Sequence, residues 1–190
     1  MNVPQDDLIN ECFHCNGKDY KTSRWMTYGT INLIKCKQCD LIHLYPIAHH
    51  TSGYEDLAQE ETVRQIGLLN EKDTTSYNHG NGILDLIETH TGKKEGSLLD
   101  IGCKFGDLLI AADRRGWNTI GIELNADFCA IARDSGLEVY NDVIERLDID
   151  ISGFDIIILS HVLEHIERPD SSLKAIFDRL NPMGILYVET

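Results

Sequence analysis

The chain has 190 residues, of which 42% are hydrophobic and 25% charged. That composition suits one sizeable core plus a small appended module, and no stretch approaches the roughly 18 apolar residues of a membrane span. The formal net charge of −14 argues against nucleic acid as a partner, since a phosphate footprint needs clustered Lys and Arg; Lys35 and Lys37 make at most a small basic patch.

The opening MNVPQDDLIN has neither a basic n-region nor an apolar h-region. No secretory signal is expected, and the expected compartment is the cytoplasm. Two C-x-x-C pairs follow, Cys12 with Cys15 and Cys36 with Cys39. Paired cysteines in a chain without a signal point to metal rather than disulfides. Two intervening residues let both sulfurs of a pair turn onto one ion. Four thiolates complete a closed tetrahedral shell, which suits structural Zn²⁺. Each pair is followed by a turn residue, Asn16-Gly17 or Asp40. Between the pairs, WMTYGTINLIKC reads as a hairpin around Gly29. Residues 1–50 are therefore expected to form a zinc ribbon. His14, His43, His49 and His50 lie nearby, but four sulfurs already fill the shell. Cys103 and Cys129 stand alone and read as small buried hydrophobes.

Residues 51–96 read as a helical connector. Leu57, Val63, Ile66 and Leu69 recur at helical spacing, as do Ile83, Leu84 and Ile87, and the polar DTTSYNHGNG between them reads as a turn. Tyr54, Tyr77 and His79 could face a pocket, with ordinary packing or exposure as the favoured reading.

From residue 97 strands and helices alternate. SLLDIG, NTIGIEL, LEVYND, FDIIILS and GILYVET are the expected strands. DLLIAADRRG, ADFCAIARDSG (capped by Asn125) and PDSSLKAIFDRL are the expected helices, with Leu173, Ile176, Phe177 and Leu180 on one stripe of the last. FDIIILS is almost wholly apolar, as a strand covered on both faces must be. The expected fold is α/β, a Rossmann-like parallel sheet, with residues 97–190 as its ligand-binding domain. Ligands on such sheets bind at the carboxyl ends of the strands. Three polar positions fall there in order. Asp100 leads into the glycine turn Gly102 to Gly106, Glu123 ends the second strand, and Asp142 follows the third. A carboxylate at Glu123 suits a ribose diol, and one at Asp142 suits an adenine amine.

LLDIGCKFGDLL, GIELN, YNDVIERL, FDIIILSHVLEHI and LNPMGILYVET together resemble the successive motifs of class I S-adenosylmethionine-dependent methyltransferases. The resemblance covers residues 97–190. With the ribbon and CDLIHLYPIAHHTSGYEDL, it extends to a subfamily whose members often act on sugars or nucleotide-sugars. It implies the strand order 3-2-1-4-5 with the family's last two strands missing after Thr190. It implies that Asp100, Gly102, Cys103 and Gly106 shape the pocket for the methionine part, and that Glu123 and Leu124 meet the ribose. Asp142 and Val143 would then meet adenine, with Ser160 at the end of the fourth strand. The implied cofactor is S-adenosylmethionine and the implied partner a small-molecule acceptor. The family usually has a small residue where this chain has Lys104, so that side chain is expected to face solvent.

Alternatives stay open at this point. A nicotinamide-binding domain also uses an acid after its second strand, but Cys103 to Gly106 does not supply G-x-G-x-x-G. A non-catalytic binding module on the same fold is the second alternative, and an RNA or protein methyltransferase with the ribbon as substrate clamp is the third. SHVLEHIE holds the H-x-x-E-H of some zinc peptidases at His161, Glu164 and His165. Those peptidases carry the pattern within a helix, whereas here it follows a buried strand. His161 and His165 are instead the candidate bases beside an acceptor. Some methyltransferases bind a divalent ion here through E-x-x-E-H; this chain has His161 in place of the first glutamate.

Overall fold

The computed structural model describes residues 12, 14–28, 31–45, 75–147, 151–166 and 169–190. The helix expected around Leu57 to Leu69 lies outside them, as do His49, His50, Tyr54 and the side chain of His43.

The N-terminal sheet is antiparallel, in the order β1 (Tyr20–Tyr28), β2 (Ile31–Cys36), β3 (Ile42–Tyr45). Tyr28 pairs with Ile31 and Tyr20 with Cys36, which gives the expected hairpin, with β3 as an addition. The long helix α1 (Thr75–Thr91) comes next. Then follow β4 (Gly96–Ile101), α2 (Asp107–Asp113), β5 (Trp117–Ile122), α3 (Ala126–Asp134), β6 (Val139–Tyr140) and β7 (Phe154–Ser160). A 3₁₀ turn (Leu163–His165), α4 (Pro169–Phe177) and β8 (Leu180–Glu189) complete the described chain. The second sheet runs β6-β5-β4-β7-β8, all parallel. This is the expected 3-2-1-4-5 order.

Alternation along the strands explains the two layers. Leu98, Ile156 and Ile158 face one core with Ile83, Leu84 and Ile87 of α1 and Leu108, Leu109 and Ala112 of α2. Leu99, Ile101, Ile157 and Leu159 face the opposite core with Ile122, Ile144 and Ile176. Covered on both sides, Ile156 to Leu159 are all fully buried. No helix among the described residues is long and apolar enough to cross a membrane.

Two sequence expectations change. The turn expected over DTTSYNHGNG is helix from Thr75 onward. Tertiary packing overrides the weak propensity there: a Cβ at Gly80 would lie 3.0 Å from the Leu108 backbone, so the missing side chain lets α1 approach α2 closely. Asn81 holds Arg115 through its side chain at 2.7 Å, and Asp85 and Glu88 on α1 pair with the same guanidinium. The second change is the end of the last helix: Phe177, expected in the core stripe, is 62% exposed, and Leu180, expected on the same stripe, opens β8. Leu173 and Ile176 take the inward positions, and the helix ends at Phe177.

Gly121 in the middle of the sheet gives a test of this packing. A Cβ there would lie 2.6 Å from Cys103 Sγ and 2.7 Å from Leu109 Cδ1. Gly121→Ala is expected to destabilise the chain by about 1–3 kcal/mol, measured by urea unfolding. An unchanged midpoint would show that this contact is looser than described.

Candidate functional site

The four paired cysteines converge. Their sulfurs all lie within 4.8 Å of one another, with Cys12 to Cys39 at 3.7 Å and Cys15 to Cys36 at 3.6 Å. A tetrahedral ion with Zn–S near 2.3 Å sets sulfurs about 3.8 Å apart, whereas a disulfide needs about 2 Å. The spacing therefore fits one shared ion and excludes disulfides, and all four cysteines are free. The two knuckles repeat one geometry. Asn16 N–H donates to Cys12 O and Asp40 N–H to Cys36 O, and both turn residues are left-handed, at φ 57° and 64°. Backbone hydrogen bonds from Cys39 and Gln38 hold the Cys36 thiol down at about 7, whereas burial pushes Cys15 up to about 12, so Cys36 is the thiolate already favoured and an ion must displace the proton from Cys15. The expected ligand set is thus assembled as a set. His14 is exposed beside it and is not part of it.

The second cluster of chemistry lies at the carboxyl ends of β4, β5 and β7. Asp100 is 5% exposed on β4, and Glu123 is 8% exposed just past β5. Glu123 Oε2 accepts from the Lys104 backbone N–H at 2.9 Å, and Oε1 accepts from Asn125 N–H at 2.7 Å. The carboxylate therefore ties the glycine turn to the start of α3, where the Asn125 side chain caps Asp127 and Phe128 N–H. Asn141 clamps the same loop by donating to Glu123 O and Leu124 O. Gly102 and Cys103 N–H both donate to Ile122 O, which pins the turn across β5. Gly102 needs its φ of 77°, and a Cβ there would lie 2.5 Å from Val162. Gly106 is left-handed too, at φ 84°. Lys104 shares the left-handed region at φ 49° and is exposed, as expected.

The electrostatics of this end are unusual. Burial, and after it the charge of Glu123, pushes the Asp100 carboxyl up to about 8. Asp155, on the neighbouring strand but at its opposite end, provides a comparison. Lys93 Nζ at 2.8 Å and Ser97 N–H hold it down at about 2. Among the described residues, neither Asp100 nor Glu123 has an ion-pair partner. Two buried acids without a cation suit a ligand that brings positive charge and hydroxyl donors. S-adenosylmethionine has an ammonium, a sulfonium and a ribose diol, so the residues present fit it. An open cleft of about 990 Å³ at the strands' amino ends, lined by Ser97, Trp117, Asn118 and Phe154, lies at the far end from these acids.

The sign of the Asp100 shift gives a prediction. Its folded value is raised above the ordinary carboxyl value near 4. The stability it contributes is thus present below about pH 4 and is lost as pH rises through about 8. Asp100→Asn should remove that loss. Between pH 5.5 and pH 8.5, the melting temperature of the unliganded wild type should fall by about 3 °C or more relative to the variant. Parallel curves would place Asp100 in contact with water.

The remaining expected residues are less uniform. Leu124 is 64% exposed at the rim. Asp142 accepts from Val143 N–H at 2.8 Å and from Arg146 Nε at 3.0 Å, both on Oδ1. These bonds lower its pKa, Val143 first. The Val143 amide is therefore engaged within its own loop. Cys103 and Cys129 are buried, and burial pushes both thiols up, as inert core positions. Ser160 Oγ donates to Glu189 Oε2 at 3.3 Å. His161 lies 60% exposed with Nδ1 3.6 Å from Glu164 Oε1. His165 is exposed at the end of the 3₁₀ turn, its backbone N–H on Val162 O. Sequence reasoning passed over Glu189 and favoured ordinary packing or exposure for His79; both join His161 here. Glu189 carried the signal of an acid at a strand's carboxyl end, and His79 carried none.

Comparison with known proteins places this geometry. Residues 78–190, more than half of the chain, match the family described as "Methyltransferase domain". The mitochondrial ubiquinone biosynthesis O-methyltransferase of Saccharomyces cerevisiae is 38% identical over 115 residues, 55% of this chain and 36% of that protein. The ubiquinone biosynthesis O-methyltransferase of Cronobacter sakazakii is 28% identical over 154 residues, 76% of this chain and 63% of that protein. The chain thus spans between about a third and two thirds of these relatives. Among solved structures, Streptomyces venezuelae DesVI superposes with a TM-score of 0.54 at 22% identity, covering 68% of this chain and 56% of its own. The plantazolicin methyltransferase BpumL, in complex with a monoazolic desmethyl analog and SAH, gives 0.56 at 16% identity, covering 71% and 54%. At such identities the likeness is one of fold.

Proposed function

The chain belongs to the class I methyltransferase-domain family, and from that premise we propose that it binds S-adenosylmethionine and transfers the methyl group to a hydroxyl oxygen of a small molecule. The observation that carries this reading is the pair of buried acids, Asp100 and Glu123, flanking the Gly102–Gly106 turn without a cation of their own. S-adenosylmethionine supplies a methyl carbon already activated by a sulfonium.

Glu123 accepts from the ribose hydroxyls while still bracing Lys104 and Asn125. Asp100 sits beneath the glycine turn and favours the cationic end of the ligand. Asp142 and Val143, with Leu124 at the rim, border the adenine side, and Asp142 keeps Arg146 beside it. His161 stands at the β7 end as the base that takes the acceptor's proton, with Glu164 Oε1 3.6 Å from its Nδ1 and His165 the next residue along. The enzyme's task is mostly positioning.

Oxygen as acceptor is supported by the O-methyltransferase relatives. The resemblance of the ribbon to sugar-acting methyltransferases supports a sugar or nucleotide-sugar as the finer reading. The six free cysteines suit a reducing compartment such as the cytosol, and the ribbon's donor set suits structural Zn²⁺. In our reading residues 1–50 are the ribbon, 51–96 the connector and 97–190 the cofactor domain.

Methyl-labelled S-adenosylmethionine incubated with a catechol, a free sugar and a nucleotide-sugar tests the reaction. Label is expected in an ether of one of them, and most in the nucleotide-sugar. Label on nitrogen or carbon, or none on any acceptor, rejects small-molecule O-methylation by this chain.

A further inference from the structure

Two imidazoles and one carboxylate converge outside the carboxyl ends of β7 and β8. His79 comes from α1, His161 is the first residue past β7, and Glu189 is the last of β8. Their donor atoms all lie within 4.8 Å of one another. His79 Nε2 is 3.0 Å from Glu189 Oε2, and His161 Nε2 is 3.9 Å from Glu189 Oε1. Each carboxylate oxygen therefore faces one ring. The rings stack with centroids 6.3 Å apart and planes 25° apart.

Hydrogen bonding explains only part of this arrangement. His79 and Glu189 are at bonding distance, but 3.9 Å is too long for His161. A first-row cation with N and O ligands near 2.1 Å sets its donors roughly 3.0–3.5 Å apart. The observed separations bracket that range. His79 and His161 are 46% and 60% exposed, so ring rotation closes the gap at little cost. The carboxylate is also oriented from behind, since Ser160 Oγ at 3.3 Å and Tyr187 Oη at 3.4 Å both donate to Oε2. Glu164 Oε1 lies 3.6 Å from His161 Nδ1, beyond hydrogen-bond reach. Outer partners that fix a ligand's orientation are a feature of metal sites. His161 is moreover held at φ 54°, a strained value for a residue with a side chain.

We propose that His79, His161 and Glu189 bind one first-row divalent cation. Two imidazoles and a carboxylate with open positions favour Mn²⁺, Fe²⁺, Co²⁺ or Zn²⁺ over Mg²⁺ and Ca²⁺. This is not the His161, Glu164, His165 set of the H-x-x-E-H spacing. Glu164 and His165 both lie outside the cluster. Cation binding stands on the donor geometry alone; with the cation bound, His161 is a ligand rather than a base, and the cation instead holds the acceptor oxygen and lowers its pKa, a role that rests on the methyl-transfer reading.

The test titrates Mn²⁺ into protein whose ribbon is already loaded with zinc, following free Mn²⁺ by electron paramagnetic resonance. About one Mn²⁺ per chain is expected. His79→Asn and Glu189→Gln should each weaken binding by more than the roughly 10–100-fold typical of losing an outer partner. His165→Asn should bind as wild type. Circular dichroism and ribbon zinc content report folding, and His79→Asn, on an exposed helix position, keeps the test available if Glu189→Gln does not fold. No binding by wild type overturns the proposal, and so does wild-type affinity in both the His79 and Glu189 variants. Loss of binding on His165→Asn with retention in Glu189→Gln overturns it in favour of the other set. Mn²⁺ binding without S-adenosylhomocysteine binding rejects methyl transfer and leaves the cation site standing.

Discussion

Glu123→Ala is expected to weaken S-adenosylhomocysteine binding by at least about a hundredfold. A ribose diol donates two hydrogen bonds to one ionised carboxylate, each worth about 1.5–3 kcal/mol when charge-assisted. Losing both removes two or more powers of ten. The alanine variant also releases the Lys104 and Asn125 N–H groups that Glu123 now holds. Glu123→Gln separates these effects. It keeps one carbonyl acceptor and the side-chain shape, so it should fall between the two. Calorimetric titration measures both variants, with circular dichroism as the check on folding. Wild-type affinity in Glu123→Ala would place the nucleoside elsewhere.

Cys39→Ser is expected to reduce bound zinc from about one ion per chain to near zero. It should also abolish the ordered β1–β3 sheet. Structural zinc contributes apparent binding free energies of about 10–16 kcal/mol. A three-stranded sheet offers little burial to replace it: among its described side chains only Ile34 and Cys36 are buried. Protein washed with citrate, to clear the exposed imidazole site, is suited to elemental analysis. Amide exchange over residues 20–45 reports the sheet. Stoichiometric zinc in Cys39→Ser, or none in washed wild type, would contradict a four-thiolate centre.

Much of the second sheet was legible because its signals are local. Ile156 to Leu159 can only be a strand covered on both faces, and the acids at Asp100 and Glu123 mark where strands stop. Regular alternation of strand and helix then leaves few strand orders. The C-x-x-C spacing was equally direct, since two residues between thiolates allow one knuckle geometry. What escaped was long-range. Gly80 and Gly82 read as turn residues, yet Leu108 lies against Gly80, 28 positions away in sequence, and the helix forms around that contact. The same extension of α1 carries His79 to Glu189, 110 positions on. Nothing in the spacing of either residue announces the pairing. H-x-x-E-H was visible, but its histidines part company. His161 turns to Glu189, while His165 ends the 3₁₀ turn.

The central claim is that buried acids at the β4 and β5 ends receive a cationic nucleoside. Titration calorimetry of the zinc-loaded chain with S-adenosylmethionine and S-adenosylhomocysteine tests it most directly. One site per chain is predicted for both ligands, with S-adenosylmethionine the tighter because its sulfonium faces the acids, and with no heat from a nicotinamide dinucleotide. Absence of heat from either ligand at millimolar concentration, or binding of the dinucleotide instead, would contradict it.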